Sequence, residues 1–113
     1  MIIICELGIP YEVKPIGFDV LKQEPFLSLN PNSRMPAIED PNTGITVWES
    51  GAIIEYLIEN YDAEHKLSYT DSPEKWQQAS WKHFQMSGQG PYYGQLTWFG
   101  KVLQAKLWFM SCY

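Results

Sequence analysis

Asn30-Pro-Asn-Ser-Arg-Met-Pro-Ala-Ile-Glu-Asp40, followed after a turn by Val47-Trp-Glu-Ser-Gly-Ala-Ile-Ile-Glu-Tyr-Leu-Ile-Glu-Asn-Tyr61, is the stretch that decides the fold. Asp40-Pro-Asn-Thr-Gly44 is dense in turn-forming residues. Ala37–Glu39 and Ile45–Trp48 therefore read as the strands of a hairpin with a loop of more than two residues. Ser50 is a good N-cap, because its hydroxyl accepts a hydrogen bond from an unpaired N–H of a helix's first turn. Ile54, Leu57, Ile58 and Tyr61 then recur at helical spacing and define one buried face. The pattern is strand, turn, strand, helix, with the polar pair Glu49 and Ser50 at the last junction.

That junction and Met35-Pro36, just ahead of the first strand, carry the candidate chemistry. The free N–H groups and dipole of a helix N-terminus attract a carboxylate. Ser50 adds a hydroxyl donor, and Glu49 can hold an ammonium group on the same ligand. An amino-acid head group satisfies both; a plain cap preceded by a solvated acid accounts for the same two residues, and the junction alone leaves both readings open. X-Pro bonds are the ones for which the cis form is cheap, at roughly 0.5–1 kcal/mol. A cis Met35-Pro36 bond frees the Met35 backbone to pair with a peptide-like ligand in β fashion; an ordinary trans turn is the alternative.

Working outward, Met1–Leu7 is apolar, and Gly8-Ile9-Pro10 marks it as a helix end, since Gly supplies the left-handed cap and Pro cannot continue the helix. Tyr11–Phe18 reads as a short strand, weakened by Pro15 and Gly17. Asp19–Leu29 is short helix or irregular chain with Leu21, Phe26 and Leu29 as apolar points. Residues 62–70 form a polar linker. A second helix starts at Asp71-Ser-Pro-Glu74, with Asp71 or Ser72 as cap and Pro73 in the first turn. Trp76, Ala79, His83 and Phe84 share one side of it, and Ser87-Gly-Gln-Gly-Pro91 is expected to break it. Beyond Gly94 the chain is aromatic-rich, with helical spacing at Phe99, Val102 and Leu103.

The 113 residues suit a modest core, and a hydrophobic fraction of 45% excludes a disordered tail. Eight Lys and Arg against thirteen Asp and Glu give a net charge of −5 without a basic patch, which argues against nucleic acid and anionic membrane surfaces. No run is long and apolar enough for a membrane helix, and the first residues lack a signal-peptide pattern, so a cytoplasmic protein is expected. Cys5 and Cys112 are no disulfide framework, and Cys5, near a helix C-terminus that disfavours a thiolate, reads as a buried inert thiol. His65 and His83 lack partners at metal spacing. Trp76, Trp81, Phe84, Trp98 and Phe99 read as core aromatics.

Taken together, Glu6-Leu-Gly-Ile-Pro-Tyr-Glu12, the Asn30–Asp40 stretch, Trp48–Leu57 and Phe84-Gln-Met-Ser-Gly-Gln-Gly-Pro91 resemble the cytosolic glutathione transferase family. The resemblance is to its fungal branch, related to the yeast nitrogen-regulator prion protein. It implies an α/β thioredoxin-like N-terminal domain over residues 1–61, here without its first strand, and the start of an all-α C-terminal domain over residues 71–113. It also implies a cis Met35-Pro36 bond and glutathione as cosubstrate, with no metal. Ser50 then meets the γ-glutamyl carboxylate, Glu49 the ammonium and the Met35 backbone the cysteinyl portion. Lys22 or Arg34 is the candidate for the glycyl carboxylate.

Family members begin with a strand and a loop whose catalytic residue activates the glutathione sulfur. Here Met1 falls inside the helix that follows, so no residue of this chain is assigned that role. Lys101–Tyr113 no longer resembles the family. The expectations are therefore a transferase conjugating glutathione to a small electrophile if intact, with the family's homodimer, or a non-enzymatic glutathione-binding or regulatory module, or an inactive truncated product. A strand edge without its neighbour, and Trp98, Phe99, Trp108 and Phe109 without packing partners, are the expected physical consequences.

Overall fold

The structure, a computed structural model, describes residues 2–103. In chain order these form α1 (Ile2–Glu6), α2 (Phe26–Leu29), β1 (Ala37–Asp40), β2 (Ile45–Trp48), α3 (Ser50–Tyr61), α4 (Glu74–Phe84), a π-helical turn (Gln85–Gln89), α5 (Gly90–Thr97) and a second π-helical segment (Trp98–Leu103). Contacts divide the chain into two units, Met1–Lys75 and Trp76–Tyr113.

The first unit is built around the hairpin and α3. β1 and β2 pair antiparallel, with Ala37 opposite Trp48 and Asp40 opposite Ile45. The loop between them closes because Gly44 adopts φ 72°, a left-handed conformation that glycine takes without a Cβ clash. The Gly44 N–H reaches the Asp40 carbonyl at 2.8 Å, and the Asn42 N–H reaches Asp40 Oδ1 at 2.9 Å. The chain then turns directly into α3, which packs on both strands and on α1, while α2 contacts β2. Leu21, Phe26, Ile53 and Leu57 are the buried hydrophobic side chains among the described residues.

The ends of these elements are closed by specific groups. Gly8, at φ 65°, terminates α1 with the Gly8 N–H on the Cys5 carbonyl and the Ile9 N–H on the Ile4 carbonyl, the paired bonds of a Schellman cap. The Lys66 ammonium donates to the Glu6 carbonyl at 3.0 Å, a cation at a helix C-terminus. At the C-terminus of α3, the buried Asp62 carboxylate accepts from the Lys66 and Leu67 N–H groups and the Ser68 hydroxyl, at 2.7, 3.0 and 2.9 Å. These three donors fold residues 62–68 back on the helix end.

Several sequence expectations are corrected. Tyr11–Phe18 is not a strand: Tyr11 and Val13 are exposed, and the segment finds no ladder partner among the described residues. Pro15 lacks an N–H, and a strand exists only through its pairing. The segment runs near β1, where Lys14 Nζ lies 4.0 Å from Glu39 Oε2 in an exposed pair of little energetic weight. Ser50 is the first residue of α3 and Glu49 holds the cap position, one residue earlier than expected. The buried face of α3 centres on Ile53 and Leu57, with Ile54, Ile58 and Tyr61 half-buried.

Pro73 precedes the first residue of α4, Glu74, instead of lying in its first turn. Ser87–Pro91 does not break the helical run: the Gly90 N–H bonds the Gln85 carbonyl across a wider π turn, and Pro91 falls in the first turn of α5, where a missing N–H is tolerated. Trp76, Trp81, Phe84, Trp98 and Phe99 are exposed, so in this chain they are surface and not core. Trp108, Phe109 and Cys112 lie outside the described residues. The Glu24-Pro25, Met35-Pro36 and Ser72-Pro73 peptide bonds are cis.

Candidate functional site

The register of the hairpin brings the candidate residues to one end of it. Ala37 faces Trp48, so Met35-Pro36, entering β1, and Glu49-Ser50, leaving β2, flank the same end of the sheet. Met35 and Pro36 are both exposed there. Glu49 sits between strand and helix at φ 72° and ψ 124°. A non-glycine residue pays for a positive φ in steric strain, which persists only where the surroundings impose it. Here the Glu49 carbonyl accepts the first α3 bond from the Ile53 N–H at 2.9 Å, which anchors the strained residue to the helix. Ser50 is half-buried at the positive end of the α3 dipole.

The loop before β1 is organised by Asn30, whose side chain is 1% exposed. Its Nδ2 donates to the Arg34 carbonyl, and its Oδ1 accepts the Asn32 N–H at 2.9 Å. The Ser33 N–H bonds the Asn30 carbonyl at 2.9 Å, and Ser33 itself has φ 56°. So folded, the loop presents the Asn32 amide to the junction, where Nδ2 donates to Glu49 Oε1 at 2.8 Å across 17 residues of sequence. Asn30 and Asn32 were not singled out by sequence reasoning. The Asn-Pro-Asn-Ser string held a signal, because Asn side chains fold turns onto their own backbone.

Of the six candidate residues, Met35, Pro36, Glu49 and Ser50 gather at this end of the hairpin. Arg34 joins them through its backbone, with its side chain exposed. Lys22 lies exposed on the turns before α2, and among the described residues no hydrogen bond or ion pair ties it to Glu49.

Elsewhere, Cys5 is exposed, which corrects the expectation of a buried thiol. Its Sγ lies 3.9 Å from the Tyr11 hydroxyl. That hydrogen bond, then the charge on Cys5 and then burial push the Tyr11 pKa up. A depression of about 390 Å³ lined by Glu59, Asp62, His65, Ser68, Tyr69 and Lys75, with others, lies at the far end of α3 and includes none of the candidate residues. Among the described residues no group of three or more His, Cys, Asp and Glu could hold a metal ion.

Comparison with known proteins bears on this geometry. The family model described as glutathione S-transferase, N-terminal domain, matches residues 1–59, more than half of the chain. The chain belongs to the glutathione S-transferase family. Its residues 1–59 form the thioredoxin-like N-terminal domain of that family, present here as a two-stranded sheet with helices, followed by a helical segment. The chain is 54% identical over 101 residues to the glutathione S-transferase-like protein gedE of Aspergillus terreus, covering 88% of this chain and 45% of the relative.

Among solved structures it is similar to the glutathione transferase URE2P6 of Phanerochaete chrysosporium in complex with oxidized glutathione. That match has a TM-score of 0.82 and 45% identity over 88% of this chain and 47% of the other. A glutathione transferase homolog from Lodderomyces elongisporus with two GSH per subunit matches with a TM-score of 0.83 and 36% identity, over 89% of this chain and 50% of the other. The likeness is thus to Ure2-type fungal glutathione transferases, and the chain spans about half the length of the relatives it matches.

Proposed function

We propose that this chain carries the peptide-gripping part of a glutathione site, in a protein that conjugates reduced glutathione to a small electrophile. The observation that carries the reading is Glu49: an exposed carboxylate at the helix start, on a strained backbone, beside Ser50 and at the same end of the hairpin as Met35-Pro36. The γ-glutamyl end of glutathione bears one ammonium and one carboxylate on the same carbon. Glu49 takes the ammonium in a charge-assisted hydrogen bond. The Ser50 hydroxyl and the positive end of α3 take the carboxylate. The Met35 backbone pairs with the cysteinyl portion as an added strand does. Arg34 or Lys22 serves the glycyl carboxylate.

In the conjugation, the glutathione thiolate attacks the electrophilic carbon; with an aryl halide the S–C bond forms and the halide leaves with the electron pair. Lowering the thiol pKa takes a donor aimed at sulfur, and no described residue is assigned that role. The remaining proposals follow the family: domains over residues 1–61 and 71–113, a cytoplasmic location and a homodimer. Titration calorimetry with reduced glutathione tests the binding reading. Ser50→Ala is expected to weaken binding about tenfold, the worth of a charge-assisted bond. A wild-type chain that does not bind glutathione overturns the reading. Turnover of an aryl halide by the same chain separates conjugation from binding alone.

A further inference from the structure

We infer that Asn32 is a positioning residue that makes Glu49 selective for the amine of its ligand; the inference rests on the proposed binding of glutathione at Glu49. Glu49 is exposed, and a free glutamate side chain samples many rotamers that a ligand must freeze. The Asn32 amide removes that freedom by donating from Nδ2 to Oε1 at 2.8 Å. One carboxylate oxygen is held and the other, Oε2, keeps its lone pairs for a donor on the ligand.

The choice of an amide has an electrostatic consequence. A Lys or Arg at this point would hold the carboxylate equally well and cancel its charge. Asn32 is neutral, so Glu49 keeps its negative charge for an ammonium and repels a carboxylate.

Asn32 can act this way because its own backbone is fixed from below. The buried Asn30 side chain accepts the Asn32 N–H with Oδ1 and holds the Arg34 carbonyl with Nδ2. The Asn32 backbone bond does not use its side chain, so it is kept in the Ala and Leu variants. Replacing the side chain therefore tests the contact to Glu49 without dismantling the loop.

The experiment compares two ligands by titration calorimetry on the 113-residue chain: reduced glutathione, and its des-amino analogue in which the γ-glutamyl ammonium is replaced by hydrogen. Asn32→Ala and the similarly sized Asn32→Leu are measured beside wild type, with a thermal melt of each to show a retained fold. Both variants are expected to weaken glutathione about tenfold and to leave the analogue's affinity unchanged. In the background of Glu49→Ala, Asn32→Ala is expected to have no further effect.

Equal weakening of both ligands means a structural role for Asn32 and overturns the inference. So does discrimination between the ligands that survives both variants. Wild type that binds glutathione and the analogue equally overturns the role of Glu49 itself, and wild type that binds neither overturns the glutathione reading; in either case the inference falls with it.

Discussion

Asn30 is the residue on which the candidate site rests. A primary amide at 1% exposure is stable only with its polar atoms paired, and the Asn30 amide pairs with Asn32 and Arg34 on either side of the strained Ser33. Asn30→Ala leaves the Asn32 N–H and the Arg34 carbonyl without these partners and opens a small void. The expected loss is about 1–3 kcal/mol of stability, read as a lower urea midpoint. It is expected to carry a weakening of glutathione binding, because the loop that presents Asn32 to Glu49 relaxes. By contrast Arg34→Ala keeps the carbonyl that Asn30 holds and is expected to leave the stability read from urea melts within about 0.5 kcal/mol of wild type.

At the scale of elements, the joint between the hairpin loop and α3 is polar. The Tyr56 and Tyr61 hydroxyls both donate to Asp40 Oδ2, Asn42 Nδ2 donates to the Tyr61 hydroxyl at 3.1 Å, and the Thr43 and Tyr56 hydroxyls lie 2.7 Å apart. The hydrogen bonds from Tyr56 and then Tyr61 hold the Asp40 carboxyl below its ordinary pKa against the opposing effect of burial. Asp40 therefore contributes stability above the unfolded-state value of about 3.9, and loses it as pH falls through the lower folded value. Asp62 acts in the same direction: burial raises its pKa, and the bonds from Leu67, Ser68 and Lys66 outweigh it.

Burial and the bond to Asp40 raise the Tyr56 pKa, and the bond to Asp40 and burial raise that of Tyr61. Their contribution is present below about pH 10 and is lost as pH rises through the raised folded values. Thermal melts across pH are expected to show both limbs. In the Tyr56→Phe, Tyr61→Phe double variant both limbs should become shallower, the remainder belonging to Asp62 on the acid side and to Tyr11 on the alkaline side. This joint was invisible in the sequence, because hydroxyl and carboxylate meet across 16 and 21 residues. The hairpin and α3 were legible because turn chemistry and helical spacing are local. Tyr11–Phe18 was not, since a strand is a property of a pair. Glu49 and Ser50 were legible as the polar pair where strand gives way to helix; their offset by one residue at the cap followed from a positive φ that the side chains do not announce.

On the scale of the whole molecule, the two units differ in what holds them. Leu21, Phe26, Ile53 and Leu57, the buried hydrophobic residues among those described, all belong to the first unit. In the second, Trp76, Trp81, Tyr92, Leu96 and Phe99 are exposed, Leu96 at 69%. Burial of apolar surface is the main favourable term in folding, so stability should reside in the first unit and the helices of the second should open more easily. Two substitutions of the same chemistry test this. Leu57→Ala removes a side chain that is 5% exposed and should cost about 2–5 kcal/mol. Leu96→Ala removes one that water already reaches, and should change stability by no more than about 0.5 kcal/mol. Amide hydrogen exchange on the wild-type chain gives the independent readout: α3 should be protected to the limit of global unfolding, and α5 should exchange orders of magnitude faster. Equal protection of α3 and α5 would mean that the exposed aromatic surface of the second unit is covered in solution, by another copy of the chain at the concentration used, and dilution should then remove the protection of α5 while leaving that of α3.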